Sequence, residues 1–280
     1  MLSKIRFFSL ITLFMMSSNS WAHDNHGGEA TYLANEGVMI SSAGHKILFD
    51  PFFHNDYNNY QLVPEDIVKA LMANQAPYND IDAVFISHAH GDHFAADDMV
   101  KYMGLNKSVK LIAPDQAIEA MTKLEGYEAI KNRITSIQLE YKDAPQTFEV
   151  DGLSIDALRI PHAGWPGRAD VSNIVYRVVL TSDDPKNPSD TVIHMGDADP
   201  NDEHFRPYKE LWMAKKTQVA FPPFWFFLSA EGRDILDTRI NTEKSVGVHV
   251  PVNVPQNLKD TGKDYFSKPG ETRALKTEQN

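Results

Sequence analysis

Cysteine is missing from all 280 positions, which excludes disulfides, thiolate metal ligands and a cysteine nucleophile together. Stability must come from a buried core, which a chain of this length can form. Any metal site must draw on His, Asp or Glu. Basic residues are outnumbered, 27 Lys and Arg against 38 Asp and Glu, for a net charge of −11. Such a surface repels nucleic acid and anionic membrane, so neither is an expected partner. It leaves the charge of a small-molecule substrate open, because bound metal inverts a local potential. Low-complexity tracts and solenoid-like repeats are also lacking.

The apolar stretch Phe7 to Met16 is too short to span a bilayer. Lys4 and Arg6 precede it, and Ser20-Trp21-Ala22 places small residues at −3 and −1 of a cleavage site. Residues 1–22 therefore read as a signal peptide cut after Ala22, which implies an exported, periplasmic or secreted protein without stable membrane insertion. Removing Lys4 and Arg6 and no acid takes the net charge from −11 to −13. Residues 23–29, with His23 and His26, form a polar leader expected to be flexible.

From residue 30 to 254 the pattern alternates between short apolar runs and helical segments. Strands are expected at Ala30–Leu33, Gly37–Ile40, Lys46–Phe49, Ala83–Ser87, Val109–Ile112, Ile134–Leu139, Phe148–Val150, Leu153–Ile160, Ile174–Leu180, Thr191–His194, Gln218–Phe221 and Val246–Val250. Helices are expected near Pro64–Met72, Ala95–Met103, Pro114–Leu124, Phe205–Ala214 and Ser229–Thr238. Two rounds of strands and helices imply two β-sheets with helices outside. Residues 255–280 are charged and aperiodic and read as a polar surface tail.

The chemistry concentrates in Ile86-Ser87-His88-Ala89-His90-Gly91-Asp92-His93. Three histidines and an aspartate follow a buried strand, and a tight Gly-containing loop there can aim several side chains at one point. Imidazole and carboxylate suit zinc, iron or manganese. Further ligands must come from other strand ends, where His162, Asp197 and His249 are the candidates. His194 is read as packing within its strand and His204 as a surface residue. His45 and His54 lie near Asp50, as exposed-loop residues or at the pocket rim.

His88, His90, Asp92 and His93 in H-x-H-x-D-H spacing resemble the metallo-β-lactamase superfamily signature. Leu48-Phe49-Asp50-Pro51, His162, Gly196-Asp197 and His249 match its remaining motifs in order, over roughly residues 30–252. The resemblance implies a four-layer αββα sandwich with two mixed sheets and helices outside. It implies two divalent metal ions, Zn2+ first with Mn2+ or Fe as alternatives. His88, His90 and His162 would hold one, Asp92, His93 and His249 the other, and Asp197 would bridge them. Asp50 would orient the histidine loop. The implied reaction is hydrolysis by a metal-bridging hydroxide that Asp92 and Asp197 keep oriented.

A β-lactamase with a cysteine ligand is excluded, and the all-histidine β-lactamase subgroup is not expected to carry Gly196-Asp197. The strand-Asp-Pro beginning and compact length look more like the branch containing ascorbate-6-phosphate lactonase, with a small ester, lactone or phosphodiester-like substrate. An all-histidine-subgroup β-lactamase, a non-catalytic metal-binding protein and a redox protein on this scaffold remain as other readings. Trp165 and Arg168 follow His162, and Phe224 and Trp225 follow a late strand. These four are the candidate substrate-pocket residues, with core, interface or solubilising roles as alternatives.

Overall fold

The computed structural model describes residues 27–185 and 188–276. The signal-peptide segment 1–22 and leader residues 23–26 lie outside the described residues.

Strands β1 (Glu29–Ala34), β2 (Gly37–Ser42) and β3 (His45–Phe49) form an antiparallel meander. Its first turn pairs Ala34 with Gly37 across Asn35-Glu36, with Asn35 at φ 46°. Its second turn places Ala43 and Gly44 at φ 54° and 83°, a left-handed pair that matches strand twist. Three parallel strands follow on: β4 (Ala83–Phe85), β5 (Lys110–Pro114) and β6 (Ile134–Ile137). Their connections carry α1 (Glu65–Met72), α2 (Ala96–Leu105), α3 (Asp115–Thr122) and α4 (Tyr127–Ile130). Helix α1 begins after Pro64, carries Glu65 and Asp66 in its first turn, and buries Ile67 and Leu71 four residues apart.

The second sheet contains β7 (Gln146–Val150), β8 (Leu153–Arg159), β9 (Ile174–Leu180), β10 (Asp190–His194), β11 (Thr217–Phe221) and β12 (Thr242–Ser245). It is antiparallel from β7 to β10 and parallel from β10 to β12. Its outer face carries α5 (Asp202–Phe205), α6 (Lys209–Ala214), α7 (Ala230–Asp234) and α8 (Gln256–Lys259). The first sheet ends at β13 (Thr272–Ala274), giving the order β13-β1-β2-β3-β4-β5-β6.

Three apolar layers fix the architecture. Tyr32, Phe49, Phe85, Tyr176 and Phe221 fill the space between the sheets. Leu71, Met99 and Met121 pack helices onto the first sheet, and Phe205, Trp212 and Ile235 pack them onto the second. The result is the expected αββα sandwich of two mixed sheets. Strands such as β10 are buried along their whole length because both faces are covered. No helix among the described residues is long and apolar enough to cross a membrane.

Two expectations are corrected. The segment 255–276 is not a loose surface tail: β13 pairs antiparallel with β1, and Phe266 and Leu275 join the inter-sheet core. Its few apolar residues are spaced too irregularly to register as periodicity, yet Phe266 stacks on Tyr32 at 5.0 Å. The last strand of the second sheet is also earlier than expected, at Thr242–Ser245 rather than Val246–Val250. The apolar run 246–250 instead leaves the sheet as a buried connection with single bridges, Gly247 to Tyr265 and Val248 to Pro223.

Candidate metal centre

The site lies where β4, β8 and β10 end and the chain leaves β12. Beyond β4, the Ser87 backbone N–H donates to Asp50 Oδ1 at 2.7 Å and the Ser87 hydroxyl donates to Asp50 Oδ2 at 2.5 Å. Asp50 is completely buried and follows β3 at φ 40°. The carboxylate thus draws the start of the histidine loop onto the neighbouring strand end.

Hydrogen bonds then fix which nitrogen each ring presents. His93 Nδ1 lies 3.0 Å from Asp50 Oδ2, and because Asp50 accepts, Nδ1 carries the proton and Nε2 is left as the donor atom. The Ser87 hydroxyl donates to Asp50, so its oxygen accepts from His88 Nδ1 at 3.0 Å. His162 Nδ1 donates to the Ala163 carbonyl at 2.8 Å. In each case Nε2 points to the same place.

That place is organised around Asp197. Its Oδ2 lies 3.1 Å from His162 Nε2 and 4.0 Å from His88 Nε2. Its Oδ1 lies 3.3 Å from both His93 Nε2 and His249 Nε2. Asp92 Oδ2 is 3.3 Å from His249 Nε2, and His90 Nδ1 is 3.0 Å from His88 Nε2. Two ligand groups result, His88-His90-His162-Asp197 and Asp92-His93-His249, each with its atoms within 4.8 Å of one another. The two oxygens of Asp197 face one group each. Neighbouring ligands on one tetrahedral ion with bonds near 2.0–2.1 Å stand about 3.3 Å apart, so these spacings fit metal coordination. His93 Nε2, Asp197 Oδ1 and both His249 nitrogens are buried without a hydrogen bond, although ion-pair distances surround them. Buried polar atoms are rarely left so, and the all-nitrogen-and-oxygen donor set suits a divalent ion.

The electrostatics follow from crowding. Burial would raise Asp197, but His249 and His93 outweigh it and hold the carboxyl well below its ordinary range. Burial would also raise Asp92, but the neighbouring His249 and His93 bring it down instead. Burial, reinforced by His93, pushes His88 well below its usual value. Burial would depress His93 likewise, yet Asp197 and Asp50 hold it well above. Both carboxylates are therefore poised as anionic ligands.

Several supports carry no sequence motif. Asn173, fully buried after β8, accepts from the Asp197 N–H at 3.0 Å and donates to the Ile160 and Met195 carbonyls. Gly196 sits at φ 52°, and a Cβ there would lie 2.4 Å from Asn173 Oδ1 and 2.6 Å from Ser87 Cβ, so only glycine fits. Asn35, in the β1–β2 turn, donates to the Asp92 carbonyl and accepts from the His249 N–H. His249 itself is left-handed at φ 58°, and Tyr60 packs edge-on against its ring at 4.2 Å. The buried trio Glu36, Asp50 and His194 also has ligand spacing. His194 Nε2 nevertheless donates to the Glu36 carbonyl at 2.9 Å and its Nδ1 accepts from Gly196 N–H, while both Asp50 oxygens are occupied. This trio supports the centre from beneath, and His194 packs within β10 and stacks on Phe49 at 4.6 Å.

A cavity of about 650 Å³ opens over the ligands, walled by Tyr57, Asn59, Tyr60, Arg168 and Trp225. Arg168 and Trp225 thus line the pocket. Trp165 and Phe224 do not. Trp165 turns away to pack on Tyr141 at 4.7 Å, and Phe224 lies edge-on behind Trp225. Of the run 221–227, Phe221, Phe226 and Phe227 are core. His204, expected at the surface, is buried and hydrogen-bonds the Tyr141 hydroxyl at 2.8 Å, because Tyr141 and Trp165 pack over it from distant turns. His45 pairs with Asp82 and His54 faces Asp97 and Asp98, so neither lines the pocket.

Residues 45–218 match the family described as the β-lactamase superfamily domain. The chain belongs to this superfamily. No curated protein sequence matches it. Among solved structures it is similar to Igni18, a metallo hydrolase from Ignicoccus hospitalis, at 18% identity and TM-score 0.55, covering 88% of this chain and 97% of that one. It is similar to an isothiocyanate hydrolase from Delia radicum gut bacteria at 16% identity and TM-score 0.56, covering 88% and 98%. It also resembles CmlA, a diiron β-hydroxylase from Streptomyces venezuelae, at 12% identity and TM-score 0.50, covering 90% and 54%.

Proposed function

We propose that this superfamily member is an exported binuclear hydrolase of a small ester, lactone or phosphodiester-like substrate, with zinc as its metal. The observation that carries the reading is the division of Asp197, one oxygen toward His162 and His88 and the other toward His93 and His249. A single-ion site needs no such arrangement, whereas two ions sharing one carboxylate do. The likeness to Igni18, a metallo hydrolase, and to the isothiocyanate hydrolase supports it. Export rests on the pattern of residues 1–22.

When bound, the two ions would supply Lewis-acid polarisation of the scissile group and acidify a water toward neutrality. His88, His90 and His162 would hold one, and Asp92, His93 and His249 the other. Asp92 and Asp197, held ionised, are the carboxylates positioned to receive a hydrogen bond from the attacking water. Trp225, anchored by its Nε1–H to the Ala198 carbonyl at 3.0 Å, and Tyr60 wall the site and limit solvent around His249.

Elemental analysis of signal-free protein, beside His88→Ala/His90→Ala, tests the reading. About two equivalents of metal in the parent, lost in the double variant and accompanied by turnover of an ester, lactone or phosphodiester panel, are expected. A parent that holds no metal after metal-supplemented growth overturns it. The likeness to the diiron β-hydroxylase favours redox chemistry as a second reading, which iron content with visible absorption bands would identify.

A further inference from the structure

Arg168 is the one lysine or arginine among the described residues that wall the pocket, and it lacks the carboxylate partner that several other arginines have. Arg159, Arg177, Arg239 and Arg273 each pair with a carboxylate. Arg168 has no carboxylate within ion-pair distance among the described residues, in a chain whose acids outnumber its bases 38 to 27. Its Nη1 instead approaches His162 Nε2 at 3.5 Å, the same nitrogen that faces Asp197. A guanidinium beside a ligand's metal-facing nitrogen is poorly satisfied, and repelled once an ion is present. It is well placed for an anionic oxygen shared between that ion and itself.

The segment that presents it is fixed. Ala163 N–H donates to the Asp197 carbonyl at 2.7 Å, Gly164 N–H to Asp199 at 3.3 Å, and the Val171 N–H to the Arg168 carbonyl at 3.1 Å. The Arg168 stem crosses Gly164, where an added Cβ would meet its Cδ at 3.7 Å. Two divalent ions would also exceed the negative charge of Asp92 and Asp197, the two acids lining the pocket, and Arg168 adds to that excess.

Resting on the hydrolase reading, we propose that the substrate's reacting centre is itself anionic, of the phosphodiester class, and that Arg168 is the residue that selects it over a neutral ester or lactone. A phosphodiester carries a non-bridging negative oxygen on the scissile phosphorus before reaction, within reach of both the His162-bound ion and Arg168. A neutral carbonyl develops that charge only in the transition state. In the hydrolysis, water oxygen bonds to phosphorus, the bond from phosphorus to the leaving oxygen breaks with its electron pair on that oxygen, one water proton goes to the leaving alcohol, and the other is released from the monoester to solvent. Trp225 and Tyr57 offer flat apolar walls for the two ester groups.

The test compares zinc-loaded parent, Arg168→Gln and Arg168→Lys at equal measured metal content. Inorganic phosphate binding by calorimetry should weaken about tenfold or more in Arg168→Gln, with partial recovery in Arg168→Lys. The kcat/KM for bis(p-nitrophenyl) phosphate should fall at least about tenfold further than that for p-nitrophenyl acetate. Equal phosphate affinity in parent and Arg168→Gln, or a parallel fall for both compounds, overturns the proposal. Ester turnover with phosphate affinity indifferent to Arg168 sinks the selectivity role and leaves the hydrolase standing. Arg168-dependent phosphate binding without turnover of either compound does the reverse.

Discussion

Replacing Asp50 by Asn measures how much metal affinity resides outside the ligands themselves. The buried Asp50 carboxylate accepts from Ser87 N–H at 2.7 Å and from His93 Nδ1–H at 3.0 Å. Asparagine keeps one acceptor oxygen and replaces the other with an NH2 group. If the oxygen stays on the Ser87 N–H, the amide hydrogens confront the His93 N–H and that charge-assisted bond is lost. Its loss costs about 1.5–3 kcal/mol, which is about 10- to 150-fold in affinity at 1.4 kcal/mol per decade. The independent expectation for removing an orienting carboxylate behind a histidine ligand is about 10- to 100-fold, the same window. Competition with a chromophoric chelator would read it, with urea unfolding of the metal-free proteins to show that both remain folded. The weakened ion should be the one held by Asp92, His93 and His249, because His88 feels the change only through the Ser87 hydroxyl. Parental affinity for both equivalents in Asp50→Asn would refute the reasoning.

Gly196→Ala forces a side chain into Asn173 and Ser87 at a left-handed backbone position, so metal content should fall and stability drop by about 3 kcal/mol or more, read by elemental analysis and urea melts. Arg177→Met strands the buried Asp156, its partner at 2.7 Å. It should cost about 3–5 kcal/mol, largely recovered in Arg177→Met/Asp156→Leu, with metal content unchanged in both. Glu36 is buried, and that burial, with Asp197 and Asp50 adding to it against His93, holds its carboxyl well above the ordinary value of 4.5. The folded chain keeps a proton the unfolded chain releases, so this contribution to stability is whole below that ordinary value and is lost as pH rises toward the folded-state value. Glu36→Gln should therefore lose less stability than the parent as pH rises above that ordinary value in chelator, and parallel pH profiles would exclude this origin.

The parts of the fold that were legible are those in which local pattern and tertiary burial agree. The run Ala83 to Ser87 reads as a buried strand and is one over Ala83–Phe85, and Pro64 with Glu65 and Asp66 marks a helix start that the packing keeps. Residues 246–250 read equally well as a strand, but Gly247 and the left-handed His249 take the chain out of the sheet and tertiary bridges replace the ladder. Residues 255–276 were misread because β13 borrows its register from β1 rather than from its own alternation. At the site, His88, His90, Asp92 and His93 announce themselves by proximity. His162, Asp197 and His249 needed the order of a known pattern. Asn35, Asn173 and Tyr60 were illegible, since a buried amide or ring gains its role from partners tens of residues away. Asn173 is the instructive case: nothing around it in sequence separates it from a loop asparagine, yet it joins three strand ends.

The ligands come from both sheets, and that bears on what metal does for the molecule. His88, His90, Asp92 and His93 belong to the first sheet's loop, and His162, Asp197 and His249 to segments leaving the second. Metal would therefore tie the sheets together at one end. It is not what closes them, because the inter-sheet layer containing Tyr32, Phe49, Phe85, Tyr176 and Phe221 is fully buried without it, and each such side chain contributes roughly 1.5–3 kcal/mol on burial. Small metal-dependent folds lack a core of that size. In this chain the cost of metal removal should fall locally instead, on Asp92, Asp197 and the imidazoles around them, where Asp197 Oδ1, His93 Nε2 and both His249 nitrogens lack hydrogen-bond partners. The fold holds those atoms close together without partners, and divalent cations would supply the partners they lack.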